Sequence, residues 1–332
     1  MSATAFSMAV VVLAFALCTA EPAGLQSTLS RPRVTGINHV ALRVGDAAAA
    51  RRFYGEMLGL SLRSSPGATR SVYTIGARQH VVLESGLGSG GRLRPERPFD
   101  GAQGRSESVE GRGAKPPSES ERGWGPASAD DDERLSHLAF DTTDIAALAA
   151  YLTSRGVQVQ PTNECGDGSI RVIDPDDHTI EFVQSRWPPD ARAAEPGRAL
   201  SGRLLHAGLI IRDEEAAHRF YRDTLGFSEI WRGGRKEGVT QWVNMRVPDG
   251  TDYLEYMLVT APPDRRQRGV LHHMALVVPD IQAAWEEVGR RTPEAARPSL
   301  SRPQVGVNGR WQLNLFDPDG TRTELMEPFR VR

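Results

Sequence analysis

Four short apolar runs in this chain each carry a histidine near the start and a residue with almost no side chain two positions later. The pairs are His39 with Ala41, His137 with Ala139, His206 with Gly208, and His273 with Ala275. Each run reads as a β-strand, and in a strand residues two apart share a face. An imidazole beside Ala or Gly therefore has open volume next to it, whereas a core histidine is more often flanked by large apolar groups. Seen once this would be noise; seen four times it is a pattern.

Later strands supply carboxylates. Glu84 follows Val81-Val82-Leu83, Glu181 lies between Ile180 and Phe182, Glu255 between Leu254 and Tyr256, and Glu324 between Thr323 and Leu325. Glutamate is rarely buried unless it is paired or bound to a metal; an exposed Glu on an edge strand is the competing reading, common for one case and less comfortable for four. Glu255 precedes His273 by 18 positions and Glu84 precedes His137 by 53. Removing an insert of about 35 residues would restore the same interval. Each half of the chain thus offers two His and two Glu. Such a set suits octahedral binding of Ni, Co, Fe, Mn or Zn, with two positions left to water or substrate. Cys18 and Cys165 are the only thiols, which excludes both a disulfide framework and a thiolate cluster. Among the remaining histidines, His80 shares a face with Glu84 and could replace it as ligand. His178 in a turn and His218 on a helix read as solvated, and His272 as facing outward beside His273.

The elements that must position these groups repeat four times. An acidic residue follows each opening strand (Asp46, Asp144, Asp213, Asp280), placed to cap the helix that comes next. The first and third helices carry Phe53-Tyr54 and Phe220-Tyr221, read as helix-to-sheet packing, and end at Gly59 and Gly226, where a left-handed cap is needed. Two or three strands follow, and Asp174-Pro-Asp-Asp and Asp317-Pro-Asp-Gly are turn sequences entering a last strand. The unit is βαβββ and the class α+β, with four units paired into two modules.

The first module spans 34–185 and is interrupted by 86–133, a Gly-, Pro-, Ser- and charge-rich stretch that reads as a disordered insertion. A linker, 186–202, leads to the second module, 203–330. At the N-terminus, Ala9 to Leu17 is an apolar run ending in small residues, so 1–20 reads as a secretory signal peptide and 21–33 as a linker. No Lys or Arg precedes the run, and the alternative is an extension without that role. The signal predicts a periplasmic or secreted protein, its absence a cytoplasmic one. A net charge of −2 over 332 residues argues against nucleic acid or a membrane as main partner. The expected partner is a small-molecule substrate, and the expected assembly a two-module monomer or a homodimer.

These residues together resemble the vicinal oxygen chelate superfamily, whose domains pair two βαβββ units into a cup around one divalent metal. The resemblance covers about 34–86, 134–185 and 203–329. His39-Val-Ala-Leu-Arg-Val-Gly-Asp and Phe53-Tyr54 with Leu58-Gly59-Leu60 look especially like glyoxalase I. The resemblance implies one site at His39, Glu84, His137 and Glu181, and another at His206, Glu255, His273 and Glu324. It also implies a lyase or isomerase in which the metal stabilises an enediolate, while Glu181 or Glu324 moves a proton between adjacent carbons. Tyr253 and Met257 beside Glu255, and Arg322 beside Glu324, line the pocket or fill the cup. Two alternatives from the same superfamily stay open. Extradiol ring-cleaving dioxygenases use Fe(II) held by two His and one Glu. Bleomycin-resistance proteins sequester a ligand without metal.

Overall fold

The computed structural model describes residues 29–64, 69–85, 134–162, 168–184 and 198–331. The expected signal peptide, the insertion 86–133, most of both linkers and both cysteines lie outside the described residues.

Each of the four units folds as strand, helix and three strands. The first contains β1 (Val34–Val44), α1 (Ala47–Arg51), β2 (Ser61–Ser64), β3 (Arg70–Thr74) and β4 (His80–Ser85). The second contains β5 (Leu135–Thr142), α2 (Ile145–Ser154), β6 (Gln160–Thr162), β7 (Ser169–Ile173) and β8 (Thr179–Val183). The third contains β9 (Leu204–Ile211), α3 (Glu214–Ala217), β10 (Ser228–Gly233), β11 (Trp242–Arg246) and β12 (Tyr253–Leu258). The helix α4 (Arg265–Leu271) then leads into β13 (His273–Val277), α5 (Ile281–Arg291), β14 (Gln304–Val305), β15 (Arg310–Phe316) and β16 (Arg322–Arg330). Among the described residues, no helix is long and apolar enough to cross a membrane.

The four aspartates cap as their positions predict: Asp46, Asp144, Asp213 and Asp280 each accept from backbone N–H groups of the helix they precede. Such a cap contributes about 1 kcal/mol. α1 and α3 widen into π-helical segments, Arg52–Met57 and His218–Thr224, marked by the i→i+5 bonds Leu58 N–H to Phe53 C=O and Leu225 N–H to Phe220 C=O. Gly59 and Gly226 close them at φ +74° and +82°, the left-handed region that glycine enters without cost.

Two eight-stranded sheets result, in the orders β2-β3-β4-β1-β5-β8-β7-β6 and β10-β11-β12-β9-β13-β16-β15-β14. Within every unit the first and last strands run parallel, which requires the intervening helix as a crossover. Antiparallel pairs β1–β5 and β9–β13 join the units. Each half of the chain therefore pairs its own two units.

One hydrophobic core runs through both modules and takes in Val40, Leu42 and Tyr54 from the first and Leu209, Tyr221 and Leu325 from the second. The Phe-Tyr pairs do pack helix to sheet, and the tyrosines do more. Tyr54 donates to Asp317 Oδ2 at 2.9 Å and Tyr221 to Asp174 Oδ2 at 2.8 Å. Each hydroxyl thus reaches the Asp-Pro-Asp turn of the other module, and a buried bond of this kind contributes about 1.5–3 kcal/mol. Asp176 and Asp319, two residues on in those turns, pair with Arg212 and Arg134 at 2.9 and 3.3 Å, again one module to the other.

This interface overturns the reading of His178 as solvated and buries His272 as well. His178 is buried because its turn packs between modules; its Nδ1 lies 2.8 Å from Asp174 Oδ2, and its ring meets His272 edge-on. His272 does face away from its own cup, but it is buried there against the other module. His218 is partly buried on its helix and faces Glu214 and Glu229 at 3.6 and 3.9 Å.

The two turns differ in two residues, Gly320 for Asp177 and Thr321 for His178, and the second difference changes their electrostatics. Burial works to raise Asp174, but His178 outweighs it and holds that carboxyl below its usual range. Asp317 has no such partner, and burial pushes it from an ordinary 3.8 up to about 6. Asp317 therefore keeps its proton to higher pH in the folded chain than in the unfolded one. Its contribution to stability is whole below pH 3.8 and is lost as pH rises through about 6. Urea unfolding of wild type and Asp317→Asn on either side of that window should show the variant gaining on wild type at the higher pH. An equal difference at both would contradict this.

Candidate metal centres

The junction between paired units brings the histidines together. In β1–β5, His39 stands opposite Ala139 and Ala41 opposite His137; in β9–β13, His206 stands opposite Ala275 and Gly208 opposite His273. Each imidazole leans across the junction over the small residue of the neighbouring strand, which is what the Ala/Gly positions are for. The Nε2 atoms meet at 2.9 Å for His39 and His137 and at 3.1 Å for His206 and His273. Two nitrogens at about 2.1 Å from one ion and about 90° apart would be roughly 3.0 Å from each other, so both spacings suit adjacent ligands of a metal.

The final strand of each module adds a carboxylate. Glu181 is brought beside Ala139, and Glu324 beside Ala275, by the parallel pairs β5–β8 and β13–β16. The buried groups His39, His137, Glu181 and His206, His273, Glu324 each offer ligand atoms lying within 4.8 Å of one another. Glu181 Oε2 is 3.2 Å from His137 Nε2. Glu324 Oε2 is 3.9 and 3.8 Å from Nε2 of His206 and His273. In the second module Glu255 Oε2 comes as close, 3.4 Å from His273 Nε2 and 3.9 Å from His206 Nε2.

Glu84 behaves differently, and the expected equivalence with Glu255 does not hold. The parallel register sets Glu255 beside Gly208 but Val82 beside Ala41; Glu84 falls two residues further on, beside Arg43. The true counterpart of Glu255 is Val82, and His80 corresponds to Tyr253, which stacks on His206 at 4.7 Å. Counting back from His137 across the insertion aligns the glutamates by type, whereas the pairing with the neighbouring first strand aligns them by register. Glu84 instead accepts from Ser136 Oγ at 2.7 Å, and that oxygen lies 3.4 Å from His137 Nδ1. His80 faces Arg63 rather than replacing Glu84.

These outer contacts decide which histidine nitrogen is free. Ser136 gives its hydrogen to Glu84, so it can only accept from His137 Nδ1. Asn38 donates its Nδ2 hydrogen to Asp141 and turns Oδ1 to His39 Nδ1 at 2.7 Å. In both rings the proton sits on Nδ1 and the Nε2 lone pair faces the centre. His273 Nδ1 lies 2.8 Å from both the Leu271 carbonyl and Arg322 Nη2. The two cannot both be hydrogen bonds, and the carbonyl, which can only accept, is the contact compatible with a free Nε2. Burial holds His39 and His273 well below the ordinary histidine range and His206 down to about 3. Neutral imidazoles are what a metal needs.

The carboxylates diverge. Burial opposes ionisation of Glu181, but its polar surroundings, His137, His39 and Ser169, outweigh it and hold this carboxyl below its usual range. Burial pushes Glu324 up to about 7, with Arg322 opposing and Glu255 adding to the rise. Its Oε1 is buried without a hydrogen-bond partner, and so is His206 Nδ1. An unsatisfied buried carboxylate oxygen beside two neutral imidazoles fits a divalent cation.

Close packing makes Gly208 part of the second centre. A Cβ there would meet His273 Nδ1 at 2.0 Å and the Leu271 carbonyl at 2.7 Å. Gly208→Ala should push the His273 ring away and strip metal from the second module, read by elemental analysis, while leaving the first module unchanged. Full retention of metal in the variant would show that the ring position is not needed.

A protein-family model described as Glyoxalase/Bleomycin resistance protein/Dioxygenase superfamily matches residues 36–182 and 203–325. No curated protein matches the chain. Solved structures of similar fold include a variant of homoprotocatechuate 2,3-dioxygenase from B. fuscum, at 17% identity and TM-score 0.61, covering 90% of this chain and 72% of that one. Another variant of that enzyme gives 16% identity and TM-score 0.62, with coverage of 91% and 73%. The native homoprotocatechuate 2,3-dioxygenase from Arthrobacter globiformis gives 18% identity and TM-score 0.60, with coverage of 90% and 81%. At these identities the likeness is one of fold. With four βαβββ units, two eight-stranded sheets and two buried triads able to hold a divalent metal, the chain belongs to the glyoxalase/bleomycin resistance protein/dioxygenase superfamily.

Proposed function

We propose that this protein is a metal-dependent enzyme whose second module shifts a proton between adjacent carbons of a small α-oxo or hydroxy substrate, a glyoxalase I-like lyase or isomerase reaction. The observation that carries this reading is the second carboxylate: Glu255 and Glu324 both approach the His206–His273 pair, within 3.4–3.9 Å. A bound divalent metal would supply the Lewis acidity that polarises the substrate oxygens. His206, His273 and Glu255 would hold it. Glu324, buried with its Oε1 lacking any hydrogen-bond partner, would then be placed to take a proton from one carbon and return it to the next. Buried Tyr253 and Met257 flank Glu255 along its strand and give the cup an apolar wall for the substrate's carbon skeleton.

A second reading, an Fe(II) extradiol dioxygenase, is favoured by a different observation. The first module has Val82 where the second has Glu255, leaving His39, His137 and Glu181 as a two-His, one-carboxylate set. The homoprotocatechuate 2,3-dioxygenases share the two-module fold.

The readings separate in one set of assays. Protein loaded with Ni(II) or Fe(II) is tested for isomerisation of a hemithioacetal and for oxygen uptake with catechols. The proton-shift reading expects isomerisation, lost by about 10²-fold or more in Glu324→Gln and weakened in Glu255→Ala. Catechol-dependent oxygen uptake that survives Glu255→Ala but not His39→Ala would overturn it in favour of ring cleavage by the first module.

A further inference from the structure

The two centres differ at a second matched position. Across β7–β8, Arg171 stands opposite Glu181; across β15–β16, Asn314 stands opposite Glu324. Arg171 Nη2 lies 3.3 Å from Glu181 Oε2, the same oxygen that faces His137 Nε2 at 3.2 Å. A guanidinium therefore already sits on the oxygen a cation would use. Glu324 offers the contrast, with Oε1 lacking any hydrogen-bond partner and an amide, not a cation, across the strand pair.

Charge makes the consequence large. In the second module two carboxylates, Glu255 and Glu324, face the ion's position, with Arg322 as the cation beside them. In the first, Val82 replaces one carboxylate and Arg171 neutralises the other, so an arriving dication would meet less negative charge there than in the second. Buried charge without compensation is costly. We propose that Arg171 is a built-in counter-ion of Glu181 that sets the first module's metal affinity low. The chain then holds one divalent ion tightly, in the second module, and a second only weakly. This deepens the metal-dependent reading above and rests on it.

Metal binding tests this without any assay of turnover. Wild type is titrated with Zn(II) by calorimetry and analysed for metal after dialysis. We expect about one ion retained per chain and a second bound at least about tenfold more weakly. Arg171→Asn, which gives the first module the second module's residue, should tighten the weak site by about tenfold or more. His39→Ala in that background should abolish the gain and so locate it. Arg171→Lys keeps the charge and should leave the site weak, which separates a counter-ion from a residue needed only for folding. Two equally tight ions in wild type, or an unchanged weak site in Arg171→Asn, would overturn the proposal while leaving metal dependence intact. No metal in wild type or any variant would remove the metal-dependent reading itself, and this inference with it.

Discussion

Everything at the two centres depends on one pairing, the antiparallel junction of the first strands of two units. Its register sets each histidine against Ala or Gly on the neighbouring strand, so two imidazoles can lean towards each other and meet near 3 Å. A slip of one residue would turn both side chains to the opposite face. The parallel pairing of first and last strands then carries Glu181 and Glu324 to the same level. Helices, caps and left-handed glycines hold that register in place from outside the cup.

The modules are held to each other by a reciprocal set of buried polar contacts. Tyr54 and Tyr221 each reach the Asp-Pro-Asp turn of the opposite module, and Arg134 and Arg212 each pair with an aspartate in those turns. The turns lead directly into β16 and β8, the strands that carry Glu324 and Glu181. The inter-module contact is therefore also what steadies the carboxylate end of each centre. Because the scaffold repeats so closely, the chemistry can diverge through single residues: Val82 for Glu255, Arg171 for Asn314, Ala41 for Gly208.

Most of the fold was legible because its signals are local. Strand alternation, the capping aspartates and the turn sequences each report on a few adjacent residues, and the four-fold repetition removed the ambiguity of any single match. That the four histidines come together with Glu181, Glu255 and Glu324 was legible for the same reason. Glu84 was misplaced because its partner strand lies far away in sequence, across loops of different length, and only the β1–β4 register reveals that Val82 is the equivalent position. His178 was misread because a turn residue is ordinarily solvated, and the packing of one module on the other is not written in either turn. Arg171 was missed as well, although its place opposite Glu181 follows from the hairpin that the Asp-Pro-Asp turn announces.

The most direct test of this account is anomalous scattering from a crystal loaded with Ni(II) or Zn(II) and measured at the metal's absorption edge. The account predicts a strong peak in the second module, bonded through Nε2 of His206 and His273 and flanked by carboxylate oxygens of Glu255 and Glu324. A peak held elsewhere, or rings turned to offer Nδ1, would contradict it.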